Sequence, residues 1–109
     1  MAAYISEVIF MTADELQQLK TIVKPIAEEY GLARVSLFGS RARGEERPDS
    51  DYDFLISSGK LRSLFELGGL FMDLKNALGT DVDIVTDTSS DQEFVQDIKQ
   101  DEVVVYEQA

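Results

Sequence analysis

The chain of 109 residues contains no cysteine and no histidine. The first absence excludes disulfides and thiolate metal sites. The second removes Ser-His-Asp and Cys-His catalysis and most zinc chemistry. Any metal is left with oxygen ligands, which selects Mg²⁺, Mn²⁺ or Ca²⁺. No apolar run approaches 18 residues, so no membrane-spanning helix and no membrane association are expected. No basic segment leading into an apolar stretch opens the sequence, so no secretory signal is expected and the expected location is cytoplasmic. Basic residues are scarce, 10 against 21 acidic, for a net charge of −11. A general nucleic-acid binder carries a basic surface, so stable nucleic-acid binding is not expected. Six of the ten basic residues (Arg34, Arg41, Arg43, Arg47, Lys60 and Arg62) fall between positions 34 and 62. An anionic ligand would have to be received there.

What remains is ordinary for a globular domain, 44% hydrophobic and 28% charged, and the length predicts one domain over residues 1–109. Residues 1–11 are weakly patterned. Met11-Thr12 resembles a second start, so the opening residues are read as an N-terminal extension. Thr12 to Glu15 fits a capping box, and Leu16, Leu19, Val23, Ile26, Ala27 and Tyr30 follow at helical spacing. Pro25 should kink or divide this helix, and Gly31 should stop it. Val35–Phe38 reads as a strand entering Gly39-Ser40. Arg41–Ser50 reads as a loop or a short turn of helix, and Tyr52–Ile56 as a second strand. Ser63–Glu66 is a second capping box. It opens a helix with Leu64, Leu67, Phe71, Leu74 and Leu78 as its apolar stripe, read as core, and Gly79 as its stop. Gly68-Gly69 costs that helix about 2 kcal/mol of propensity, which implies close packing or a bend. Val82–Val85, a helix over Asp91–Gln100 and an extended Val103–Tyr106 complete the chain. The expected class is α/β (α+β), a small mixed sheet with helices packed over it.

The chemistry lies in Phe38-Gly39-Ser40-Arg41-Ala42-Arg43-Gly44 and Ser50-Asp51-Tyr52-Asp53-Phe54-Leu55-Ile56. Asp51 and Asp53, two apart on a strand, point to one face about 6.6 Å apart. Such a pair repels itself unless a cation lies between. Asp83, embedded in apolar Val82–Val85, repeats the design. If the two strands are neighbours, three carboxylates converge, a set suited to two Mg²⁺ ions and phosphate oxygens. Asp81 is a second-ranked member of that face. Gly39 allows backbone amides to approach phosphate, Ser40 adds a hydroxyl donor, and Arg41 and Arg43 offer charge to polyphosphate. Rival motifs fail on single residues. Glu45-Glu46 stand where a P-loop needs Lys-Ser/Thr. Phe54 and Lys60 occupy the glycine and glutamate positions of an EF-hand, and no Gly-x-Gly-x-x-Gly is present.

Taken together, Gly39-Ser40, a ten-residue spacer to Asp51-x-Asp53, and the later strand aspartate Asp83 resemble the DNA polymerase β-like nucleotidyltransferase superfamily, in its minimal nucleotidyltransferase (MNT) branch. The resemblance covers roughly residues 12–107, with no departure at the motif residues. The larger helical domain of many bigger relatives is missing. The resemblance implies a nucleotidyltransferase-like fold and catalysis by Asp51, Asp53 and Asp83, which also hold Mg²⁺ (two ions, with Mn²⁺ an alternative). It implies nucleotide binding by Gly39, Ser40, Arg41 and Arg43, with ATP as substrate. It further implies pairing with a helical HEPN ribonuclease toxin, with AMP transferred to a tyrosine of that partner and the chain acting as antitoxin in a hetero-oligomer. Two other readings stand beside this one: a non-catalytic module that neutralises its partner by binding, and transfer to a small molecule.

Overall fold

The computed structural model describes residues 11–45, 47, 50–57, 59–61, 63–88 and 91–108. The expected extension at 1–11 lies, apart from Met11, outside them, as does Arg62 of the basic group.

Helix α1 (Ala13–Glu29) opens on a complete capping box: the Thr12 hydroxyl accepts from Glu15 N–H at 3.1 Å, and the Glu15 carboxylate accepts from Thr12 N–H at 2.9 Å. It closes on Gly31 at φ +66°. There Gly31 N–H reaches Glu28 O (3.2 Å) and Leu32 N–H reaches Ala27 O (3.0 Å), a Schellman pair. Of the two effects expected of Pro25, division of the helix does not occur: α1 runs unbroken through it. Its missing amide removes one bond toward Thr21 O, and burial of Val23 and Ala27 on either side outweighs that loss.

The strands are β1 (Arg34–Phe38), β2 (Tyr52–Ser57), β3 (Val82–Thr86) and β4 (Val103–Glu107). The sheet order among the described residues is β3-β2-β1-β4, with β2 and β3 parallel and the other neighbours antiparallel. Helix α2 (Gly39–Ala42) is a single turn leaving β1, α3 (Leu64–Leu78) makes the crossover from β2 to β3, and α4 (Gln92–Lys99) connects β3 to β4. This is the expected mixed sheet under helices. Alternation along β2 assigns the two faces. Phe54 and Ile56 join Leu19, Val23, Leu70 and Leu74 in the larger core under α1 and α3. Leu55 packs with Val95 and Ile98 of α4 on the other side.

Helix α3 begins with the Ser63 hydroxyl accepting from Glu66 N–H and ends at Gly79, φ +73°. It is continuous through Gly68-Gly69. A Cβ at Gly69 would stand 2.8 Å from the Tyr30 hydroxyl, itself donating to Asp73 Oδ2 at 2.7 Å. Close packing is therefore the reason for this glycine, whereas Gly68 faces open space. Leu64, read as core, is 84% exposed, because it lines an open groove between the start of α3 and β3. The buried Ser36 hydroxyl donates to Glu102 Oε2 (2.7 Å), and Arg34 clasps the same carboxylate at 2.8 and 3.2 Å. Burial alone would raise the Glu102 carboxyl, but the hydrogen bonds from Arg34 and Ser36 hold it below its ordinary value. Among the described residues, no helix is long and apolar enough to cross a membrane.

Candidate active site

The ends of three strands meet at one end of the sheet. In the register, Phe38 lies opposite Asp53 across β1 and β2, and Asp53 lies beside Asp83 across β2 and β3. Asp53 shares its face of β2 with Leu55, the α4 side, but precedes the part that α4 covers. Tyr52 and Phe54 point the other way and stack at 6.0 Å between ring centroids. An acidic side chain thus stands on one face of β2 and aromatic anchors on the other.

The Asp53 carboxyl is pushed up to about 6. Burial is the largest cause, followed by the charge of Asp83, a hydrogen bond with Asp83 and the charge of Asp51, while Arg43 opposes them. In its neutral form Asp53 donates to Asp83, so a cation held by these carboxylates would have to displace that proton. Asp51 takes part from a different place than expected. It is exposed and precedes β2 by one residue, yet its charge still acts on Asp53. Asp81 does not join them. Its carboxylate pairs with Lys75 of α3 at 3.2 Å, toward the α3 side, and its carbonyl receives Tyr52 N–H.

Among the described residues, no three carboxylates are drawn into a closed cation cage. Asp53 and Asp83, with Asp51 beside them, instead form an open set of oxygen donors. Their mutual repulsion is what a hard divalent cation such as Mg²⁺ relieves, so the donor chemistry fits such an ion and these three residues could hold it.

Gly39 sits directly over this cluster. Its φ of +78° is one that L side chains rarely adopt, and a Cβ there would fall on Asp53 Oδ2 and stand 3.1 Å from Asp53 Cγ. Sequence reasoning assigned this glycine to close approach of phosphate; the structure gives it a nearer reason, room for the Asp53 carboxylate. Ser40 follows as the second, half-buried residue of α2. Phe38 supplies no side-chain cap to α2, and amides of a helix's first turn have no partners within the helix.

The two arginines separate. The Arg41 Nε donates to Ser50 O at 2.9 Å, and its guanidinium lies 4.1 Å over the Tyr52 ring, on the face away from Asp53. It fastens the loop before Asp51 and is not brought to the carboxylates. Arg43 acts electrostatically on Asp53 and pairs with Glu45 at 3.0 Å. Of the remaining basic group, Arg34 is committed to Glu102 at the far end of β1, the Lys60 side chain packs against Gly31, and Arg47 N–H turns back to the Ser50 hydroxyl at 2.8 Å. The sequence offers Arg41 first for phosphate. The structure instead turns Arg41 to Tyr52 and leaves Arg43 acting on Asp53, because the helical turn begins at Gly39, ahead of the loop or short turn of helix expected from Arg41.

Comparison with known proteins agrees with this geometry. The family model described as polymerase beta, nucleotidyltransferase matches residues 20–109. A Methanocaldococcus jannaschii protein named as a putative protein adenylyltransferase is 38% identical over 65% of this chain and 76% of its own length. The protein adenylyltransferase MntA of Thermococcus cleftensis is 34% identical over 72% of this chain and 81% of its own. Two solved structures share the fold. One is a toxin–antitoxin with AMP-PNP (TM-score 0.71, 21% identity, 82% of this chain and 73% of that one). The other is a tri-AMPylated Shewanella oneidensis HEPN toxin in complex with MNT antitoxin (0.67, 20%, 85% and 73%). The chain belongs to the polymerase beta nucleotidyltransferase family, in the branch represented by the protein adenylyltransferases.

Proposed function

We propose that this chain transfers AMP from ATP to a hydroxyl of a partner protein, a tyrosine of a helical HEPN toxin, and so acts as an antitoxin. The observation that carries the reading is Asp53, wedged between the Gly39 turn on β1 and Asp83 on β3, with Asp51 at its side. The named activity of the relatives, the AMP-PNP in one structural neighbour and the AMPylated HEPN toxin in another support it.

Asp51, Asp53 and Asp83 would hold Mg²⁺, which when bound neutralises triphosphate oxygens. The first-turn amides of α2 and the Ser40 hydroxyl receive phosphate oxygens. Arg43 lies close enough to Asp53 to act on its charge and balances the leaving pyrophosphate. Asp83, at the exposed edge of the cluster, orients the acceptor hydroxyl and takes its proton. The acceptor oxygen forms its bond to the α-phosphorus in line as the bond from that phosphorus to the pyrophosphate oxygen breaks. A phenol suits this site, since a hydroxyl of pKa about 10 needs little assistance.

The test is to incubate the chain with the candidate HEPN partner, Mg²⁺ and ATP labelled at the α- or the γ-phosphate. The expected result is α-label on the partner, a mass increase of one AMP and no γ-label. A γ-labelled partner would mean a kinase. A partner bound tightly but never labelled would favour neutralisation by binding alone.

A further inference from the structure

The first turn of α3 exposes Leu64 (84%) and Phe65 (94%), with Met72 half-exposed two turns on. Leu64, Gly68 and Phe71 of α3 line an open groove whose other wall is Asp83 and Ile84 of β3. Gly68 has nothing within 4 Å of where a Cβ would be, so its lack of a side chain leaves the groove open. Two apolar side chains side by side in water at a helix start serve no packing purpose within the described residues. The groove borders the candidate active site at the β3 edge of the sheet, where Asp83 stands between Val82 and Ile84 of the groove wall while being paired with Asp53 in the register.

Charge identifies the occupant. From Ser63 to Thr86 the chain carries four acidic residues, Glu66, Asp73, Asp81 and Asp83, and one basic residue, Lys75, which is paired with Asp81. Among the described residues of this stretch no cation is left over for a triphosphate. A second copy would bring another −11 charge and the same acidic rim, and would be repelled. A protein with apolar side chains set among basic ones is complementary on both counts.

We propose that the α3–β3 groove docks the acceptor protein through Leu64, Phe65 and Phe71 and so delivers its hydroxyl to Asp83. The proposal rests on the adenylyl-transfer reading for its occupant. A segment anchored at Leu64 and Phe65 and lying along the groove reaches Asp83 from the side of β3 away from Gly39. Nucleotide and acceptor therefore approach the carboxylates from opposite sides, as in-line transfer needs.

The experiment compares the parent with Leu64→Asp, Phe65→Asp and, on α4, Phe94→Asp, using as probe the candidate HEPN-type protein of the labelling test above. Thermal melts confirm folding, and calorimetry with Mg²⁺–ATP reads the nucleotide side. The expected result is at least about tenfold weaker partner binding and a raised KM for the partner in the two α3 variants, as for loss of an apolar anchor. ATP binding should be unchanged in both, and Phe94→Asp should behave as the parent. If the parent labels the partner and the α3 variants bind and label it equally well, docking lies elsewhere and the transfer reading stands. If the parent never labels the partner, yet Phe65→Asp abolishes binding, the groove is the docking site and the transfer reading falls. A dimer of the parent alone that Phe65→Asp dissolves would assign the groove to self-association and overturn the proposal.

Discussion

At Asp53, burial and the charges of Asp83 and Asp51 push the carboxyl in the same direction, up to about 6. An unfolded aspartate titrates near 3.9, so between about pH 4 and 6 the folded chain holds more protons than the unfolded one. The stability from this group is then complete below about pH 4 and is lost as pH rises through 6. Asp53→Asn should remove that slope from melting curves recorded with a chelator. At pH 7 it should raise Tm by about 4–8 °C, the equivalent of roughly 1 kcal/mol for a carboxylate partly screened by solvent. Transfer activity should vanish in the same variant. A pH profile identical to the parent's would show that Asp53 is not the strained member of the cluster. Cation binding competes with the same proton, so the Mg²⁺ affinity of the parent should fall about tenfold per pH unit below 6. Gly39→Ala tests the same carboxylate from above. A side chain at φ +78° that also lands on Asp53 should cost roughly 1–3 kcal/mol and displace the carboxylate. Thermal melts and Mg²⁺ titration would register the two effects separately.

The paired glycines of α3 make an internal control for how that helix is fastened. Gly68→Ala gains helix propensity in open space and should raise stability by about 0.5–1 kcal/mol. Gly69→Ala gains the same propensity but meets the Tyr30 hydroxyl and breaks its bond to Asp73, leaving it about 1–2 kcal/mol behind. In a Tyr30→Phe background both the obstructing oxygen and its bond are already absent, so Gly69→Ala should there cost nothing further, and melts of the parent, the two single variants and the double check it. Elements such as α3 were legible because Leu67, Phe71, Leu74 and Leu78 recur at helical spacing between a serine cap and a glycine stop, although the fully buried Leu70 was not among the residues read as its stripe. The strands were legible because apolar runs such as Phe54–Ile56 are bounded by polar turns. Local signals failed where long-range contacts decide. Pro25 is carried within α1 by the core beneath it, and Leu64 falls on the apolar stripe but lines an open groove beside β3. Period two put Asp81 on the face of Asp83, but ahead of the strand its side chain turns to Lys75. Asp53 and Asp83 came together as expected, since the β2–β3 pairing sets them side by side. Arg41, offered first for phosphate, is held by Tyr52 and Ser50 instead, and Arg43 acts on Asp53.

Across the whole molecule the surplus of 11 negative charges opposes compaction, and any salt should relieve it. Sodium chloride is therefore expected to raise Tm modestly, and by nearly the same amount in every variant that keeps a similar net charge. Mg²⁺ at matched ionic strength should do more, because a site on the folded chain adds RT ln(1 + [L]/Kd), about 2.7 kcal/mol at a hundredfold excess over Kd. The two contributions separate by mutation. Asp81→Asn and Asp53→Asn change the net charge equally, so screening by sodium should act on both alike. Only Asp53→Asn removes a carboxylate from the cluster, whereas Asp81 is engaged with Lys75 outside it. The extra stabilisation by Mg²⁺ should then persist in Asp81→Asn and disappear in Asp53→Asn. Melts in matched sodium and magnesium salts, with and without ATP, measure this directly. An excess that survives in Asp53→Asn would place the cation in the diffuse acidic field of the chain and remove it from the site.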